Sequence, residues 1–61
     1  MIVDFWEREP GNHHSIMRMR LDSVPARDDF VVINSRSYVV HEIMWLLDGK
    51  QEAEARVFIK G

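Results

Sequence analysis

Cysteine is absent from this 61-residue chain, so no disulfide can staple it and the usual thiolate ligands of structural zinc are missing. Glycine and proline are scarce, at 3 and 2 residues, which excludes collagen-like and low-complexity architectures. No stretch approaches the apolar length that spans a bilayer. The segment Met1-Ile2-Val3-Asp4-Phe5-Trp6-Glu7 has neither the basic region nor the apolar run of a signal peptide. The chain is therefore expected in the cytoplasm, or in the host cytoplasm if a virus encodes it, with no membrane partner. An excess of one charge is also lacking. Lys+Arg 8 against Asp+Glu 10 leave a formal net charge of -2, which argues against non-specific binding to nucleic acid.

What is present is apolar bulk: a hydrophobic fraction of 46%, with Met 4 and Trp 2. Residues 1–61 make a single domain near the size at which a core barely offsets chain entropy. Small scaffolds add disulfides, metals or partner subunits, and with the first two lacking residues to build them a homo-oligomer is expected.

Turn signals at Pro10-Gly11-Asn12, Ser23 to Asp29, Asn34-Ser35-Arg36-Ser37 and Asp48-Gly49-Lys50 cut the chain into short segments. Between them the apolar pattern has period two. Val3 and Phe5 alternate with Ile2, Asp4 and Trp6, and Met17, Met19 and Leu21 alternate with Ile16, Arg18 and Arg20. Phe30 to Ile33 and Tyr38 to Val40 are β-branched and aromatic runs around a four-residue polar loop, and Arg56 to Lys60 closes the chain as a strand. The stretch from His41 to Ala55 reads two ways, as a short helix or as the continuation of a long strand from Tyr38 to Leu47. The strand is preferred, because one extra residue bulging at His41-Glu42 restores alternation on both sides. The expected fold is mainly β, a small five-stranded antiparallel barrel of the SH3-like or OB-like kind, with Val31, Ile33, Tyr38, Val40, Ile43, Val57 and Ile59 buried.

The run from Val24-Pro25-Ala26-Arg27-Asp28-Asp29 through Phe30 to Ile43, with Trp45 and the closing Ala55-Arg56-Val57-Phe58-Ile59, resembles very small phage and bacterial accessory proteins. In these a proline-led acidic loop precedes a strand and a tight hairpin, and a tyrosine opens the next strand. The resemblance implies a β-barrel and an accessory origin, and no activity of its own. Such proteins commonly inhibit a host component or sequester a nucleotide signal. Their hairpin often carries glycine where this chain has Asn34 and Ser35.

No constellation for catalysis stands out. His41, Glu42, Asp4, Ser35 and Ser37 coexist without a glycine-rich elbow to build an oxyanion hole. Neither a metal nor another cofactor is expected, since His13 and His14 point to opposite faces of a strand and at most one could meet His41. Binding is the function that remains. Arg18 and Arg20, two apart on one strand face, suit a phosphate or another small anion, and Arg36, Trp6 and His41 are the further ligand candidates. Ion pairing of the arginines with Asp4 or Glu54 across the sheet is the competing reading. Trp6, Met44 and Trp45 are the candidates for an interface with a host protein, Trp6 being the better exposed tryptophan. Capture of a small anionic ligand such as a nucleotide between subunits is the leading expectation, and inhibition of a host enzyme is the alternative. Single-stranded nucleic-acid binding through a barrel face ranks below both, because the chain is acidic overall.

Overall fold

In the computed structural model, which describes residues 1–61, the period-two pattern becomes five strands and no helix. These are β1 (Ile2–Glu9), β2 (Asn12–Arg20), β3 (Phe30–Ile33), β4 (Arg36–Trp45) and β5 (Ala55–Lys60). They form one curled sheet, a half-barrel, in the order β2-β1-β5-β4-β3.

Three of the pairings are antiparallel, but β1 and β5 run parallel, with Val3 beside Ala55 and Glu7 beside Ile59. The wholly antiparallel sheet expected from the sequence is thus corrected to a mixed one. The reason is topological: an up-and-down ring with an odd number of strands brings its first and last strands together pointing the same way. Turn residues announce only the local hairpins. No turn reports the pairing of chain ends.

Alternation then sorts the side chains. Val3, Phe5, Tyr38, Val40, Val57 and Ile59 fill the concave face together with Ile33, while Val31 and Ile43, expected in the core, are only half-buried at its margin. Two bulges bend the sheet around this core. One lies between Phe5 and Trp6 of β1 and leaves Ile16 of β2 unopposed; the other lies between Val40 and Glu42, where His41 is the extra residue. Bulges raise local twist, and here they turn a flat ribbon into a trough.

The turns are tighter than the sequence suggests. Asn34 and Ser35 alone connect β3 to β4, at φ 53 and 65, so Arg36 and Ser37 belong to β4. Pro10 and Gly11 connect β1 to β2, with Gly11 at φ 74, the left-handed value its position in a Pro-Gly turn requires. The strand from Tyr38 stops at Trp45 and leaves Leu47 exposed. The helix propensity of Gln51 to Ala55 is overridden by pairing. Leu46 donates its N–H to the Glu54 carbonyl at 2.9 Å, and Glu54 donates to Ile2 at 2.8 Å, which buries Ala53 and Ala55 against the sheet.

Candidate functional site

Arg18 and Arg20 lie on the convex face of β2, and the β1–β2 register sets Arg18 opposite Asp4 and Arg20 opposite Ile2. The Arg18 guanidinium grips Asp4 through two bonds, Nε to Oδ1 at 2.7 Å and Nη2 to Oδ2 at 3.0 Å, and its Nη1 reaches Glu52 Oε2 at 2.9 Å. Hydrogen bonds and charge from Asp4, aided by Glu52, hold Arg18 above the ordinary arginine range. Its donors are engaged by carboxylates. The two-arginine stripe read from the sequence is reduced to Arg20, which is exposed and forms no ion pair.

The other ligand candidates are scattered. Trp6 is half-buried, not freely exposed: Arg56 covers its ring at 4.3 Å, and its Nε1 is buried without an acceptor. The cause is the parallel β1–β5 pairing, which brings Arg56 onto the same convex face. Arg36 stands at the mouth of the trough, 5.4 Å over the Tyr38 ring and 3.9 Å from Glu7. His41, set out by its bulge, is exposed beside Glu42 at 3.7 Å. No single groove gathers Arg18, Arg20, Arg36, Trp6 and His41. Of the interface candidates, Met44 and Trp45 are exposed at 45% and 53%, and as neighbours on β4 they face opposite sides.

Two concavities do form. The first is the open seam of the half-barrel. Strand β2 pairs only with β1, and β3 only with β4, so their outer edges face each other unpaired. Between them lies an apolar groove of about 360 Å³ floored by Phe5, Met17, Met19, Val31 and Ile33. On the opposite side of β3, Phe30 and Val32 are 76% and 71% exposed. Both flanks of this edge are therefore apolar, and no charge or proline in Phe30-Val31-Val32-Ile33 guards it, as edge strands usually require.

The second is a groove of about 370 Å³ beside the β1–β2 turn, lined by Arg8, Glu9, His13, His41 and Lys60. Arg8 lies 4.4 Å over the buried Phe58 ring, and His13 meets the same ring edge-on with centroids 6.4 Å apart. Arg8 Nη1 pairs with Glu42 at 3.1 Å, while its Nε is buried and has no acceptor. Neither Lys60 nor His13 has a carboxylate partner.

Of these residues only His41 is a ligand candidate from the sequence; His13 enters there only in the metal site that the sequence argues against, and Arg8 and Lys60 carry no signal. Glu7, a carboxylate on the concave face, is not among the sequence candidates either, and it lies 3.8 Å from His14 and 3.9 Å from Arg36. Parity was its signal, since Glu7 falls in step with Val3 and Phe5. No protein family, curated protein or solved structure matches this chain.

Proposed function

We propose that this protein is a non-enzymatic binding module that captures an extended segment of another protein along the free edge of β3. The observation that carries the reading is an unguarded edge with exposed Phe30 and Val32 on one side and the apolar seam on the other. An added strand gains main-chain hydrogen bonds from the edge and specificity from pockets for alternate side chains. Here its inward residues are apolar, to fill the groove over Met17 and Met19. An acidic outward residue suits Arg20, the unpaired cation on the facing strand. Five strands and strong curvature also support the SH3-like or OB-like reading of the barrel.

The test is selection from a displayed library of random peptides, followed by titration of the enriched peptides in solution. Peptides alternating apolar and acidic residues are expected to bind and to slow amide exchange at Phe30 to Ile33. Val32→Lys is expected to weaken them by roughly tenfold or more, because it removes apolar contact and charges the edge. Equal binding by Val32→Lys would sink the reading. So would a dimer in sedimentation that Val32→Lys dissociates, since a second copy would then own the edge.

Capture of a small anion is the second reading. The groove beside the β1–β2 turn favours it.

A further inference from the structure

We infer that the groove beside the β1–β2 turn is a binding site for the phosphate group of a small ligand, with Arg8, His13, His41 and Lys60 as its donors. The site is assembled from four strands. The tight Pro10-Gly11 turn brings Arg8 of β1 and His13 of β2 face to face as register partners. The parallel pairing of β5 carries Lys60 to the same end of the sheet, and the bulge in β4 pushes His41 out toward it.

The donors suit an oxyanion. Phosphate takes charge-assisted hydrogen bonds from guanidinium and ammonium groups, and an imidazole has an N–H to give in either protonation state. Two of the four are free of carboxylates, and a third is already held in place. Lys60 and His13 have no carboxylate within ion-pair distance. Arg8 is held between the Phe58 ring and Glu42, which fixes its plane, while its Nε is buried away from the groove without an acceptor. A guanidinium already immobilised loses little further freedom on binding. Glu9 and Glu42 also border the site. They discourage weakly held anions and require a ligand that meets several donors together. The volume, about 370 Å³, falls in the range of small-molecule sites.

The groove is separate from the β3 edge, which lies on the other side of β4 from β5, and it deepens the anion-capture reading. The experiment is an amide-shift titration of the full chain with inorganic phosphate and, separately, with adenosine monophosphate. Saturable shifts are expected at Arg8 to His13, His41 and Phe58 to Lys60 with at least one of the two. The exposed pair His41→Ala/Lys60→Ala should weaken that binding by roughly tenfold or more, as loss of charge-assisted bonds does. Val32→Lys and Arg20→Ala should leave it unchanged. Shifts that grow without saturating for both probes would overturn the inference. Saturable shifts centred on Arg18 and Arg20, or full affinity in the His41→Ala/Lys60→Ala variant, would do the same. Because the double substitution touches only exposed side chains, a native amide spectrum separates lost binding from lost fold.

Discussion

At single residues, this fold spends conformational freedom in the β3–β4 turn. A two-residue hairpin of matching twist needs left-handed backbone at both central positions. Asn34 tolerates that conformation, because a short polar amide can bond locally, but Ser35 at φ 65 has a Cβ crowding the following carbonyl. Ser35→Gly removes that crowding. The expected gain is about 0.5–1 kcal/mol, smaller than the full left-handed penalty because glycine also frees the unfolded chain. Urea unfolding measures it, with the midpoint rising and the slope unchanged. A midpoint that stays or falls would mean that Ser35 makes a compensating contact. The arginine-bearing face shows the same dependence on local register: Arg18 and Arg20 are both exposed, but only Arg18 has an aspartate across from it.

At the scale of strands, β2 is an edge whose inward residues, Ile16, Met17 and Met19, are only partly covered. Its attachment to β1 relies on the ladder and on the Arg18–Asp4 grip, where the Asp4 side chain is 6% exposed. The Glu52 carboxylate that completes the cluster is 78% exposed. Water competes for Glu52 and hardly for Asp4. Asp4→Ala should therefore lower the urea midpoint clearly more than Glu52→Ala, which should lie close to wild type. Equal effects would show that the grip on Asp4 adds nothing beyond a surface pair. Strand identity was legible in the sequence because each half-buried strand carries its own parity, and even the bulge at His41 could be read from the change of parity between Val40 and Ile43. The parallel β1–β5 contact was not legible, since it depends on curvature and not on any turn. What was missed at the site follows from that gap. Without β5 beside β1, Arg56 could not be placed on Trp6, nor Lys60 near Arg8 and His13.

For the molecule as a whole, the half-barrel is a closed design left open at one seam, and its stability should grade away from that seam. Strand β5 has a neighbour on each side, and Ala55, Val57 and Ile59 are fully buried, as is Val3 of β1. Strand β3 has four residues, one neighbour, and two large apolar side chains in solvent. Apolar burial supplies most of the driving force for holding a segment in place, so the free energy of local opening should follow burial. Amide exchange under native conditions should thus be slowest in β5 and in the part of β4 that pairs with it, Val39 to Trp45, reaching the global unfolding limit there. It should be faster by orders of magnitude at the outward-pointing amides of β3, which open without unfolding the rest. The comparison also tests what closes the seam. If β3 and β2 exchange as slowly as β5 in dilute protein, and faster only on further dilution, then self-association covers the seam, and the homo-oligomer expected from chain length is the form in solution. If β3 stays fast at every concentration, the edge is free in the monomer and available to an added strand. Such a gradient, with protection at Phe30 to Ile33 appearing only when a peptide is bound, would tie the energetics of the open barrel to the binding role proposed for it.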